Sequence, residues 1–149
     1  MKLYIESSVF NFIFAEDSIE KQKATKDFFA NKLSNHEAYI SDIVYNELSK
    51  TKEPKRSALL DLLGKFPLRT LETNKEVTNL AELYVLNAIV PQKFINDALH
   101  IAVASLNEMD VVVSWNMEHI VKLKTIVEVN RLNLKKGYKK ILLMTPEEI

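Results

Sequence analysis

Four oxygen-bearing side chains, far apart in the sequence, fall where they could share one site. Asp97 lies in the expected first turn of an apolar helix, and Glu6 and Asn116 each follow directly after a short β-prone run. Glu47 comes four residues after Ile43, so on a helix its carboxylate points with the apolar side chains. Carboxylates brought together in a partly buried site repel one another unless protons or a cation neutralise them. If these residues meet, either a cation or bound protons must offset their charge.

Each of these residues also has a simpler explanation. Asp97 would complement the positive end of its helix, and Glu47 would pair with a lysine. Glu6 would be an edge residue in water, and Asn116 would only cap the helix that follows it. Taken singly, these explanations are about as good as a functional one. Taken together, they require three acids to break the burial pattern independently where helix starts and strand ends meet.

Two histidines lie close to the candidate residues in the sequence. His100 and His119 each come three residues after a candidate, Asp97 and Asn116 respectively. This spacing suits a role beside the ligands or against the substrate, and it suits a satisfied structural histidine at least as well.

The elements that would position these residues alternate between strands and helices. Strands are predicted over residues 2–5, 38–40, 67–71, 111–113 and 141–143. Helices are predicted over residues 7–14, 18–33, 41–50, 54–64, 73–88, 96–106 and, with breaks, 114–136, with a further helix start at 145–148. This alternation predicts a three-layer α/β/α domain with a mostly parallel central sheet of about five short strands. The working crevice of such a sheet lies beyond the carboxyl ends of its strands, where Glu6 and Asn116 are expected.

Three polar residues are predicted to begin helices. Asn96 is the candidate N-cap of the helix that contains Asp97, and Asp42 is the candidate cap of the helix that contains Glu47. Asn116 follows the fourth strand and would begin the helix that Gly137 ends.

Composition limits the classes of function. At 149 residues, with 47% hydrophobic residues and only two glycines, the chain is expected to form one ordered domain over residues 1–149. The 20 basic and 20 acidic residues give no overall basic field, so nucleic acid would have to bind to local patches. The absence of cysteine excludes disulfides and thiolate sites. No apolar run reaches membrane-spanning length, and we expect a soluble cytoplasmic protein that does not bind a membrane.

With these residues in place, the chain resembles the PIN-domain ribonucleases, and among them the VapC-like toxins of bacterial toxin–antitoxin pairs. The matching blocks are residues 4–9 (YIESSV), 41–47 (SDIVYNE), 97–102 (DALHIA) and 113–120 (VSWNMEHI). The resemblance extends over residues 3–120, and the order and spacing of the blocks are more specific than any one of them. The chain departs from the family at two positions, because the usual first aspartate is Glu6 and the frequent fourth aspartate is Asn116.

The resemblance implies a divalent-metal-dependent endoribonuclease. Glu6, Glu47 and Asp97 would hold Mg²⁺ or Mn²⁺, and Asn116 would complete the shell. The ion would orient a water molecule, favour its hydroxide form and stabilise the charge that grows on the phosphate. Ser8, two residues after Glu6, would orient a ligand. The resemblance also implies an RNA substrate, a cognate antitoxin and a homodimer, whose contact would use apolar helix surface from residues 18–33 or 55–63.

Further features support RNA binding only weakly. Basic residues cluster near Glu47 and again near the carboxyl terminus, and ordinary solvated faces explain both clusters. The basic residues are Lys50, Lys52, Lys55 and Arg56 in the first cluster, and Lys122, Lys124, Arg131, Lys135, Lys136, Lys139 and Lys140 in the second. Trp115 would either stack on a base or pack in the core, and the core is the usual place for a single tryptophan.

Two other functions remain open on the sequence alone. One is a catalytically inactive PIN-like domain that binds protein, which a measurement of metal affinity would distinguish. The other is a metal-dependent phosphatase-like hydrolase, which would usually need an aspartate nucleophile where this chain has Glu6. Assays with phosphate monoesters and with RNA would separate it from a nuclease.

Overall fold

A sheet of five parallel strands forms the centre of the computed structural model, which describes all residues 1–149. The strands are β1 (Lys2–Ile5), β2 (Glu37–Ser41), β3 (Leu68–Leu71), β4 (Val111–Val113) and β5 (Leu142–Met144), in the spatial order β3-β2-β1-β4-β5. Tyr4 of β1 is aligned with Tyr39 of β2 on one side and with Val112 of β4 on the other. The carboxyl ends of β1, β2 and β4 therefore lie side by side at one edge of the sheet.

Seven α-helices flank the sheet. They are α1 (Ser7–Phe12), α2 (Ile19–Asp27), α3 (Asp42–Ser49), α4 (Lys55–Leu63), α5 (Lys75–Leu86), α6 (Ile95–Leu106) and α7 (Leu123–Lys135). The predicted three-layer α/β/α fold is confirmed, and every strand pair is parallel. None of these helices combines the length and apolar character that crossing a bilayer requires.

Helix α6 is the enclosed helix that its sequence predicted. Ala98 and all residues from His100 to Ser105 are buried, and the helix packs against α5, α3 and β4. The small side chains Ala98, Ala102 and Ala104 are completely buried, which allows neighbouring elements to approach closely. Strand β4, three consecutive valines, is also fully buried, as a parallel strand covered on both faces should be.

The predicted N-cap of α6 is wrong. The helix begins at Ile95, so Asn96 lies inside the first turn and is exposed. A 3₁₀ turn over Gln92–Phe94 leads directly into the helix, and its first bond runs from Phe94 N–H to Pro91 O at 2.9 Å. The chain therefore enters α6 from a helical turn, and no side chain caps the helix. Asp97 lies in the first turn, as predicted.

The predicted helix over residues 114–136 begins later than expected, at Leu123. Asn116 holds a turn instead, because its Oδ1 accepts the His119 N–H at 2.9 Å and its backbone oxygen accepts the Val121 N–H at 2.8 Å. Asparagine side chains compete in this way with helical backbone bonds. The segment after β4 is therefore a turn held by hydrogen bonds of Asn116. Helix α7 ends before Gly137, as predicted, and Gly137 has a positive φ of 79°.

The predicted helix over residues 18–33 is also shorter than expected. It is regular only to Asp27 and continues as a π-helical turn over Phe28–Lys32. The wider turn allows two consecutive phenylalanines, Phe28 and Phe29, to be buried together. Phe28, Phe29 and Leu59 lie in the protein's own core, so they are not free to form a dimer contact.

Asp42 does not cap α3 as predicted, because the helix begins at Asp42 itself and Ser41 occupies the N-cap position. The Asp42 carboxylate instead accepts hydrogen bonds from Thr73, in the segment that follows β3. Its Oδ1 accepts the Thr73 hydroxyl at 2.7 Å and the Thr73 N–H at 3.2 Å. It also accepts the N–H of Ile43 at 3.0 Å. The start of the helix that carries Glu47 is thus tied to the end of a neighbouring strand.

We predict that Asp42→Ala lowers the free energy of unfolding by about 1 to 2 kcal/mol, because several hydrogen bonds to a partly buried carboxylate are lost. Glu72→Ala is the matched control, since this neighbouring carboxylate is exposed, and a change below about 0.5 kcal/mol is expected. Urea unfolding of both variants measures the difference. Equal effects of the two substitutions would show that the hydrogen bonds between Asp42 and Thr73 do not stabilise the fold.

Candidate metal centre

Three side chains from three elements converge beyond the carboxyl ends of β1 and β2. Glu6 follows β1, Glu47 lies on α3, and His100 lies on α6. One ligand atom from each residue lies within 4.8 Å of the ligand atoms of the other two. Glu6 is 5% exposed and His100 is fully buried, while Glu47 is partly exposed. Two acids and an imidazole thus share one small, mostly buried space.

Glu6 is held by two serine hydroxyls. Ser8 Oγ and Ser114 Oγ donate to Glu6 Oε2 at 2.5 Å and 2.7 Å. The Glu6 N–H donates to Val113 O at 3.0 Å, which extends the pairing of β1 with β4 by one residue. Oε2 is therefore saturated by the serines, and Oε1 faces His100 Nε2 at 3.9 Å.

Glu47 is held by a serine and a histidine. Ser7 Oγ donates to Glu47 Oε1 at 3.0 Å, and the same oxygen forms a close hydrogen bond with His100 Nε2. Burial acts to raise the pKa of Glu47, but the hydrogen bond and charge of His100, with help from Ser7 and Lys50, outweigh it. The net pKa of Glu47 lies below its ordinary value, so the carboxylate is charged at neutral pH.

His100 connects this cluster to the core through its other ring nitrogen. Nδ1 lies 2.7 Å from the Tyr4 hydroxyl, which lies 2.7 Å from Ser41 Oγ. Burial acts to lower the pKa of His100, but Glu47, Glu6 and Asp97 more than offset it, and the net pKa is raised. Burial raises the pKa of Tyr4 well above its ordinary value, so its hydroxyl stays neutral and can donate or accept.

Asp97 lies beside this cluster rather than within the group of three. It is partly buried in the first turn of α6, three residues before His100. Burial raises the pKa of Asp97, the Asn116 side chain lowers it, and the negative charge of Glu6 raises it further. The net effect is a raised pKa, because burial and the charge of Glu6 outweigh the Asn116 side chain and the nearby histidines.

Asn116 and His119 lie next to Asp97, and both act to lower its pKa. The Asn116 N–H donates to Ser114 Oγ at 2.9 Å, so Ser114 connects Asn116 to Glu6. The ring of His119 packs on Phe94 with centroids 4.2 Å apart, and its buried Nε2 has no hydrogen-bond partner. Trp115 is buried, and its Nε1 donates to Thr25 Oγ1 at 2.8 Å, so it is a core residue rather than a stacking platform.

Four residues of this site were not predicted from the sequence: Tyr4, Ser7, Ser41 and Ser114. The positions of the three serines in the sequence did indicate a shared location. Ser7 comes two residues after β1, Ser41 ends β2, and Ser114 follows β4, so all three lie at the carboxyl ends of adjacent parallel strands. Tyr4 gave no signal, because a tyrosine in the middle of a strand reads as core.

The donor set fits a divalent cation. Glu6 and Glu47 offer hard carboxylate oxygens, and serine hydroxyls and His100 orient them. Asp97 adds a further carboxylate beside them, and burial raises its pKa. A polar cleft of about 490 Å³ lies at the other end of α6 and contains none of these residues.

We predict that Asp97→Asn raises the melting temperature of the metal-free protein at pH 7. Since the folded pKa of Asp97 is raised, its contribution to stability is fully present below the unfolded pKa and is lost as the pH rises through the folded pKa. The gain should therefore vanish near about pH 3, where the wild-type residue is protonated. If Asp97 only complements the helix end, the variant will instead lose roughly 0.3 to 1 kcal/mol at pH 7.

Asp110→Asn provides a control with the opposite sign. Hydrogen bonds from Lys139 Nζ at 2.5 Å and from the Lys2 N–H at 2.7 Å lower the pKa of Asp110. Its stabilising contribution is present above the unfolded pKa and is lost as the pH falls through the folded pKa. This substitution should lower the melting temperature at pH 7, and thermal melts of both variants between pH 3 and pH 7 test the pair together.

No protein-family model matches the chain, and no curated protein is significantly similar to it. Several solved structures are similar in fold. VapBC2 from Rickettsia felis, bound to a DNA fragment from its promoter, has 17% identity and a TM-score of 0.55 over 97% of this chain and 98% of that one. VapC20 from Mycobacterium tuberculosis, a toxin that cleaves the sarcin–ricin loop, has 9% identity and a TM-score of 0.58 over 93% and 98%.

VapBC-1 from nontypeable Haemophilus influenzae has 16% identity and a TM-score of 0.52 over 86% of this chain and 94% of that one. In all three comparisons the likeness extends over most of both chains. The chain therefore has the VapC-like PIN fold that its sequence resemblance implied.

Proposed function

We propose that this protein is a divalent-metal-dependent endoribonuclease that cleaves RNA phosphodiester bonds, and that it is the toxin of a toxin–antitoxin pair. One observation carries the proposal: Glu6 and Glu47 converge with His100 beyond the carboxyl ends of parallel strands, with Asp97 beside them. The fold supports it, because this chain shares it with VapC20, a toxin that cleaves the sarcin–ricin loop.

The candidate ligands have separate tasks in this proposal. Glu6, Glu47 and Asp97 would hold Mg²⁺ or Mn²⁺, and Asn116 would complete the set. The ion would supply a Lewis acid that activates water and offsets the charge that develops on the phosphate. Ser8 and Ser114 fix Glu6 Oε2, which leaves Oε1 directed into the cluster.

The first basic cluster is the better candidate for binding the RNA backbone. Lys50 lies close enough to Glu47 to lower its pKa, and it is exposed. Lys52 and Lys55 are also exposed, whereas Arg56 is paired with Glu53 at 2.8 Å. Lysines at this position would contact phosphates that approach the acidic cluster without entering it.

The alternative is a catalytically inactive interaction domain, and one observation favours it. His100 already forms a hydrogen bond with Glu47 and carries a raised pKa. The imidazole could thus neutralise the cluster without a metal ion. An inactive domain of this kind would bind Mn²⁺ weakly or not at all, which distinguishes it from a nuclease.

The proposal includes partners and a location. A small antitoxin would cover the acidic cluster and insert a basic side chain among Glu6, Glu47 and Asp97, since a guanidinium group suits paired carboxylates. The protein would act in the cytoplasm as a homodimer. Sedimentation of the assembly purified from the native host should show two copies of this chain with a small basic partner. Isolation as a bare monomer at micromolar concentration would contradict both partner proposals.

We predict that Glu6→Gln and Asp97→Asn each reduce metal-dependent RNA cleavage by roughly 100-fold or more, because each removes a charge that holds the ion. Glu118→Gln is the control, since this carboxylate lies next to the site in sequence but its side chain is 81% exposed. The assay uses a mixed RNA pool and a sarcin–ricin loop hairpin with Mg²⁺, Mn²⁺ or a chelator.

All three variants should retain the secondary structure of the wild type, which circular dichroism checks, so that a loss of cleavage does not reflect misfolding. Cleavage that survives a chelator, or that persists in both site variants, would overturn the assignment. A wild-type protein that binds Mn²⁺ but cleaves no RNA would favour the interaction domain.

A further inference from the structure

We propose that Nε2 of His100 is itself a ligand of the divalent ion, together with Glu6 and Glu47, and that the centre therefore favours a first-row transition-metal ion over Mg²⁺. This inference rests on the proposed metal centre and specifies its donor atoms. It adds a nitrogen ligand to a set that the sequence resemblance made entirely of oxygen.

The geometry of the three side chains supports shared coordination. Nε2 of His100 lies 3.9 Å from Glu6 Oε1 and in hydrogen-bond contact with Glu47 Oε1. Metal–ligand bonds of about 2.1 Å place neighbouring donor atoms roughly 3 Å apart and opposite ones roughly 4 Å apart. The three atoms, all within 4.8 Å of one another, therefore need only small adjustments. Glu47 has the most room for such an adjustment, since its side chain is 30% exposed whereas those of Glu6 and His100 are buried.

The ring of His100 is fixed in the orientation that coordination needs. The residue is completely buried, and its ring packs against the Tyr4 ring with centroids 5.8 Å apart. Coordination through Nε2 requires that the ring proton be on Nδ1. The Tyr4 hydroxyl, 2.7 Å away, can accept the hydrogen bond that Nδ1–H donates. Tyr4 would then donate to Ser41 Oγ, also at 2.7 Å. A metal-binding histidine usually has such a partner on its second nitrogen.

A nitrogen ligand changes which ion the site prefers. Imidazole binds first-row transition ions well, whereas Mg²⁺ favours oxygen ligands and retains its water. A site with carboxylate ligands only would have no nitrogen ligand to favour transition ions over Mg²⁺. The preference is thus a consequence of His100 being a ligand, and it would be absent if His100 only orients Glu47 through a hydrogen bond.

Pulsed electron paramagnetic resonance of the full-length protein with bound Mn²⁺ tests the proposal directly. We expect a ¹⁴N coupling of directly bound imidazole, and its replacement by a ¹⁵N coupling when only histidine is labelled. The coupling should disappear in His100→Gln and persist in His36→Gln. His36 is the control because it lies before β2 and contacts the chain's amino terminus. Mn²⁺ bound without histidine coupling, or a coupling that survives in His100→Gln, would overturn the proposal.

Metal titrations of the same proteins provide the second measurement. In His100→Gln the Mn²⁺ affinity should fall by roughly 10- to 100-fold, and the Mg²⁺ affinity should change much less. Equal losses for both ions would overturn the proposal. If His100→Gln does not fold, the labelled spectra of the wild type, His36→Gln and His119→Gln still decide the question, since a coupling that persists in both variants must come from His100. A wild-type protein that binds neither ion would overturn the proposed metal centre as well, whereas Mn²⁺ bound without nitrogen coupling would overturn only this inference.

Discussion

The arrangement of the site depends on the compensation of two carboxylates at a buried sheet edge. The charges of Glu6 and Glu47, at a separation of no more than 4.8 Å, repel by about 3.5 kcal/mol or more for an effective dielectric constant near 20. The fold offsets this repulsion with His100 and with serine hydroxyls that donate to both acids. A cation that binds the folded protein would offset it further, and would stabilise the fold by mass action.

The parallel sheet explains how residues so far apart in sequence reach one place. All strands point the same way, so the carboxyl ends of β1, β2 and β4 deliver Glu6, Ser41 and Ser114 to one edge. The helix that follows β2 carries Glu47, and the enclosed helix α6 carries Asp97 and His100 from the other side. Rigid elements rather than loops thus supply most of the polar side chains, and the Tyr4 hydroxyl anchors the imidazole from within the core.

The sequence predicted the elements and the approximate position of the acids, because apolar periodicity indicates which face of a helix or strand is buried. It therefore placed Glu47 inward and enclosed the helix around Asp97. Periodicity does not indicate which side chains meet across the fold, so the contact of His100 with Glu47 was not predicted. Two local features were not predictable from periodicity either. The 3₁₀ turn that leads into α6 is why Asn96 was wrongly assigned as a cap, and the hydrogen bonds of Asn116 to the backbone are why it was wrongly placed at the start of a helix.

Anomalous diffraction from crystals soaked in Mn²⁺ shows whether the acidic cluster holds a divalent cation. We expect one strong anomalous peak within coordination distance of Glu6 and Glu47, at the edge formed by β1, β2 and β4, and its loss in Glu6→Gln crystals. If no peak occurs there at millimolar Mn²⁺ while the hydrogen bond between His100 and Glu47 is intact, the cluster does not hold the ion.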